Sequence, residues 1–135
     1  MNHTQNLNLP QWEASDFIQR TDFNDAFQKL DAVPRIVTGT YTGTGTYGSS
    51  HPNTLSFDFA PKFVLIRITG LSFYYGLALF SPLTNGSPDL AGNSYSGEER
   101  VFASWNGNSV SWYNEDRAKK QLNEEGRTYC YLAIG

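Results

Sequence analysis

Cysteine occurs once in 135 residues, at Cys130, which excludes an intrachain disulfide and a cysteine-rich metal site. Histidine occurs twice, as His3 and as His51 beside Pro52, and no H-x-H, H-E-x-x-H or C-x-x-C spacing is there to hold a metal. Charge is scarce as well: 17% of residues carry it, below the usual quarter, and the net charge is -3. With no basic cluster beyond Lys119-Lys120, a nucleic-acid partner held by phosphate neutralisation is not expected. No apolar run approaches bilayer length, so membrane insertion is not expected either. The opening Met1-Asn2-His3-Thr4-Gln5-Asn6 lacks the apolar core of a secretion signal, so the chain reads as one made in a cytoplasm without a signal peptide.

Aromatic residues are what the chain has in plenty. Nine Phe, eight Tyr and three Trp make up 15% of it, enough to fill the core of one domain with a short appendage. The patterning divides at Pro34. Residues 1–33 read as an extended arm followed by one short helix. Leu7, Leu9, Pro10 and Trp12 form the arm. The helix takes Thr21 as its cap, Asp22 and Asp25 in the positive first turn, and Phe23, Ala26, Phe27 and Leu30 at helical spacing. Pro34 stops it. A helix of little more than three turns is marginal alone, so its apolar stripe must lie on something else. Trp12, Phe23, Phe27 and Leu30 are therefore candidate contacts between copies, with Tyr41 from the following strand.

From residue 34 to 135 the hydrophobic period is two. Strands are expected over Arg35–Thr46, Thr54–Phe59, Lys62–Ile68, Gly76–Phe80, Arg100–Trp105, Ser109–Tyr113 and Thr128–Ile134. Asn106-Gly107-Asn108 is the clearest hairpin turn, with Val101, Ala103 and Trp105 before it and Val110 and Trp112 after it. Lys62–Ile68 is almost continuously apolar, as in a strand covered on both faces. About seven short strands with regular turns predict a mostly β domain, a compact antiparallel sandwich or barrel. The charged stretch 114–126, "NEDRAKKQLNEEG", reads as a surface helix or a long loop.

"GTGTYG", Gly43 to Gly48, matches the G-x-G-x-x-G pattern of a dinucleotide-binding loop. A true fingerprint opens a helix whose N-terminal amides hold a pyrophosphate. Here a turn cluster follows, Ser49-Ser50-His51-Pro52-Asn53, and then the alternating Leu55–Phe59. No cofactor is expected. Extending the strand instead puts Thr38, Thr40, Thr42, Thr44 and Thr46 on one face and Gly39, Tyr41, Gly43, Gly45 and Tyr47 on the other. Alternate glycines on that second face admit a neighbouring backbone or a large ring.

Groups that could run chemistry are not brought together by this pattern. Cys130 lies among Tyr129, Tyr131 and Leu132, the surroundings of a buried, inert thiol. The acid pairs Glu98-Glu99, Glu115-Asp116 and Glu124-Glu125 are neighbours in polar turns, unlike the facing carboxylates of a sugar-cleaving site. The expectation is a non-catalytic protein.

The order of segments resembles small tail-fibre and baseplate-associated proteins of bacteriophages and prophages. Two pieces carry the likeness. "NLNLPQWEASDFIQRTDFNDAFQKLDA" looks like their N-terminal stretch, and "IVTGTYTGTGTYG" through "LSFDFAPKFVLI" to "YCYLAIG" is similar to a fibre-tip β domain. The resemblance implies a virion tail protein, found in host cytoplasm when expressed from a prophage. It implies homo-oligomers, with a trimer favoured, other virion tail proteins as partners, and a host surface glycan or receptor as ligand. Neutral sugars bind on aromatic faces with a few hydrogen-bonding side chains beside them. Tyr74, Tyr75, Tyr95, Trp112 and Tyr113, with Asn106 and Asn108, are the candidates for such a site. Two other readings stay open: a purely structural connector with no ligand, and a polysaccharide hydrolase.

Overall fold

The computed structural model describes residues 1–70, 76–80, 88–90 and 100–135, the strand residues 76–80, 88–90 and 100 by their backbone. The chain forms two compact units, Met1–Pro34 and Arg35–Gly135. Among the described residues no helix is long and apolar enough to cross a membrane.

In the first unit, β1 (Asn2–His3) and β2 (Pro10–Gln11) pair antiparallel and precede α1 (Arg20–Asp31). The expected extended arm is instead folded back: Asn8 takes φ 53°, and its carbonyl accepts from Lys29 Nζ at 2.7 Å. The helix starts earlier than Thr21 suggests. Gln19 is its N-cap, and its backbone N–H donates to the Asp22 carboxylate at 3.2 Å, which satisfies a donor at the helix start. Trp12 stacks on Phe23, with ring centroids 4.8 Å apart, and Phe23 on Phe27 at 6.4 Å. No residue of α1 is buried, and Phe27 is 60% exposed.

The second unit is mostly β, two four-stranded antiparallel sheets around one core. One sheet has the order β3 (Ile36–Thr42), β10 (Thr128–Ile134), β5 (Phe63–Ile68), β6 (Gly76–Phe80). The other has β4 (Asn53–Ser56), β9 (Ser109–Tyr113), β8 (Arg100–Asn106), β7 (Pro88–Leu90). Period-two alternation turns one face of each inward. Val64, Ile66, Ile68, Tyr129 and Ala133 from the first sheet share a core with Val101, Val110 and Trp112 from the second. Tyr41 joins the layers, its ring edge-on to Trp112 at 6.1 Å and stacked on Tyr129 at 5.1 Å.

The hairpin at Asn106–Ser109 forms as its turn residues dictate, with Ala103 opposite Trp112 and Trp105 opposite Val110. Gly107 supplies the positive φ, 56°, that such a turn requires. Three expectations need correcting. β5 is covered on one face only: Val64, Ile66 and Ile68 are buried, whereas Leu65 is 42% exposed. Cys130 is half-exposed on the outer face of β10, because its neighbours Tyr129 and Tyr131 take the inward positions. β3 stops at Thr42, and its partner is the last strand of the chain.

Candidate functional site

Residues 114–126 are where the sequence and the structure part most sharply. The stretch is a loop whose amides are the most buried polar groups described. Gln121 is 0% exposed and uses its whole hydrogen-bonding capacity. Its Oε1 accepts from Gly48 N and Asn114 N, each at 3.0 Å, and its Nε2 donates to His51 O at 2.8 Å and Asn53 Oδ1 at 3.1 Å. Asn123 Oδ1 accepts from Thr44 N at 3.0 Å, and Nδ2 donates to Thr46 O at 2.8 Å and Thr44 Oγ1 at 2.9 Å. Asn114 Oδ1 receives the N–H groups of Asp116 and Arg117, closing the turn that starts the loop. Between the two amides Leu122 sits at φ 57° and is buried, a backbone conformation that a branched side chain adopts only when its surroundings hold it there. Its carbonyl accepts from Tyr41 Oη at 2.7 Å, and the Gln121 carbonyl accepts from Trp112 Nε1 at 2.8 Å.

These bonds fix the stretch Gly43–Gly48 that matches the dinucleotide-binding pattern. Gly43–Gly48 is a loop with positive φ at Gly45 and Gly48, and no helix follows it. A Cβ on Gly43 would land on the Glu124 carbonyl oxygen, and one on Gly39 would land on the Tyr131 ring. The glycine face of β3 thus does admit a backbone and an aromatic ring. Thr44 and Thr46 leave the strand alternation and meet each other, Oγ1 to Oγ1 at 2.9 Å.

The pinned loop forms one wall of a groove of about 340 Å³ between the outermost strands β3 and β4. Thr42, Thr44 and Thr46 line one side, and His51, Asn53 and Thr54 the other. Tyr41 and Leu55 contribute apolar surface to its lining, with Trp112 buried beneath. Among the described residues no Asp, Glu, Lys or Arg lines it. Hydroxyls and amides can each donate and accept, so the groove suits a neutral, polyhydroxylated ligand. His51 Nδ1 meets Ser50 Oγ at 2.9 Å, and among the described residues no carboxylate bonds to that ring. Among the described residues no three His, Cys, Asp or Glu side chains gather as a metal site.

The sequence-derived ligand residues do not converge. Tyr74, Tyr75 and Tyr95 lie outside the described residues. Trp112 is 1% exposed, which corrects its candidacy as a stacking platform: its ring belongs to the core. Tyr113 stacks on Phe102 at 5.1 Å on the outer face of β9. Asn106 and Asn108 flank Gly107 at the opposite end of that strand, where Asn108 O accepts from Phe57 N at 2.9 Å. Tyr41, a candidate subunit contact, points into the sandwich instead, and Trp12 is half-buried against Phe23. Phe27 and Leu30 remain exposed. Of the groove residues, Thr42, Thr44 and Thr46 belong to the threonine run that the sequence marks, whereas Asn53 and Asn123 carry no such signal.

No protein-family model matches the chain, and neither a curated protein nor a solved structure shows significant similarity to it.

Proposed function

We propose that this chain is a non-catalytic recognition and assembly protein of tail-fibre type, whose β unit holds a neutral saccharide of a host surface in the groove between β3 and β4. The groove carries the reading. Its uncharged lining of hydroxyls and amides, set in place by the buried Gln121 and Asn123 side chains, is arranged before any ligand arrives. Preorganised polar groups cost little ordering on binding, which is how a shallow site gains selectivity. The exposed stripe of Phe27 and Leu30 on α1 supplies apolar surface for assembly with other tail proteins or further copies.

Purified protein on a glycan array tests it. Selective retention of neutral saccharides is expected, and Thr42→Val, which deletes one groove hydroxyl while keeping its shape, should weaken binding roughly three- to tenfold by calorimetry. A flat array with folded protein overturns the saccharide reading and leaves the connector. Reducing ends released from host polysaccharide would mark a hydrolase.

A further inference from the structure

Among the described residues, one long sheet edge carries none of the devices that keep such edges apart. Each sheet has two outer strands: β3 and β6 in one, β4 and β7 in the other. An unpaired edge presents a row of backbone donors and acceptors to any other strand, and proteins blunt it by shortness, charge, proline or bulges. β7 has three residues and starts with Pro88, and β4 has four. β6 has five, with both flanks outside the described residues. β3 has seven, IVTGTYT, with no charge and no proline. Its pairing with β10 runs from Ile36↔Ile134 to Thr42↔Thr128 without a bulge.

Which backbone groups are free follows from the ladder. Arg35 N donates to Gly135 O at 2.7 Å and Gly135 N to Arg35 O at 3.0 Å, so that pair exchanges both bonds. Hydrogen-bonded pairs recur every second residue in an antiparallel ladder. Val37, Gly39 and Tyr41 therefore bond toward β10, as Gly43 N also does to Arg127 O at 2.8 Å. Ile36, Thr38, Thr40 and Thr42 direct their N–H and C=O groups away from it. Among the described residues no strand pairs with that side.

We infer that β3 pairs antiparallel with β3 of a second copy, about a two-fold axis at Gly39, and joins two four-stranded sheets into one of eight. The sequence fits its own reverse in this register. Thr38 faces Thr40 of the second copy, Ile36 faces Thr42, and all four outward residues fall in hydrogen-bonded pairs, two bonds each. Threonine opposite threonine is a favourable cross-strand pair, and no like charges meet. Gly39 meets its own symmetry mate at a non-hydrogen-bonded position, where the backbones come closest and a missing side chain suits the approach. A second copy fits better than an unrelated extended peptide because this edge is complementary to itself.

The inference rests on the edge, and although Thr42 belongs both to that edge and to the groove lining, mass and amide protection read the pairing without any saccharide present. Sedimentation of the full chain across the micromolar range should show a concentration-dependent dimer. Hydrogen exchange read by NMR should show the amides of Thr38, Thr40 and Thr42 gaining protection in step with dimerisation, while those of Gly39 and Tyr41 are protected at every concentration. Thr40→Pro removes an outward donor and leaves both neighbours bonded to β10, so it should be monomeric with an unchanged circular dichroism spectrum. If that variant fails to fold, the exchange pattern of the unaltered chain decides. A monomer throughout, a trimer by mass, or a dimer whose Thr38 and Thr40 amides exchange freely would each overturn the inference.

Discussion

Gln121 organises more backbone than any other side chain described. Its amide accepts from the buried Asn114 N–H, shares the Gly48 N–H with the Asn114 carbonyl, and donates to the His51 carbonyl. Gln121→Ala should cost about 2–4 kcal/mol in urea unfolding, because each buried polar group left without a partner costs roughly 1–3 kcal/mol. Gln121→Glu keeps the acceptor but loses the donation to His51 O and Asn53 Oδ1, so it should not restore stability. The sequence hides this role. Asn114, Gln121 and Asn123 amid Asp, Arg, Lys and Glu read as solvated surface, and only the folded backbone shows that all three are buried, the last two on either side of Leu122. Leu122, between them, hides its strain for the same reason.

At the scale of the element, legibility followed local chemistry. The β8–β9 hairpin was readable because Asn-Gly fixes a turn and the alternation on both sides fixes the register. β6, β9 and β10 fall where period two placed them. The alternation carries the end of β3 four residues too far, since alternating Thr and Gly continue past Thr42 while the backbone turns at Gly45 and Gly48. β5 reads as doubly covered because Phe63 and Leu65 make its outward side apolar too, leaving only Arg67 to mark the solvent face. Of the candidate site, the sequence supplied the threonine run and little else, because Asn53 and Asn123 come together only through tertiary closure. The two glycine contacts of this region predict different behaviour. Gly39→Ala drives a methyl into the Tyr131 ring, so pairing it with Tyr131→Leu should recover part of a loss of about 1–3 kcal/mol. Gly43→Ala meets the Glu124 backbone carbonyl, and Glu124→Ala should recover none of its loss. Thermal unfolding of the four variants separates the cases.

Over the whole β unit, the aromatic contact of Tyr41 with Trp112 and Tyr129 is where the two sheets meet, and it makes global stability sensitive to alkali. Burial, then the neighbouring Tyr129, pushes the Tyr41 hydroxyl well above the usual tyrosine range. Burial likewise raises Tyr129. A group whose folded pKa is raised contributes stability that is whole below its unfolded pKa, about 10, and is lost as pH climbs beyond it. Urea midpoints should thus hold steady from neutral pH to about 9 and then fall. Tyr41→Phe should flatten part of that fall, with Tyr129 supplying the rest, while lowering stability at neutral pH through the lost bond to the Leu122 carbonyl. An identical alkaline slope in the variant would show that Tyr41 is not a source of the alkaline loss.

The pairing of β10 between β3 and β5 has a consequence for the order in which the molecule is made. The ribosome delivers Ile36–Thr42 and Phe63–Ile68 long before Thr128–Ile134, the strand that belongs between them. Until those seven residues emerge, the nascent sheet has a gap at its centre and two apolar flanks with nothing to zip to. Closure of the β unit therefore waits for β10, and whatever shields β3 and β5 from other nascent chains has to act before that strand arrives.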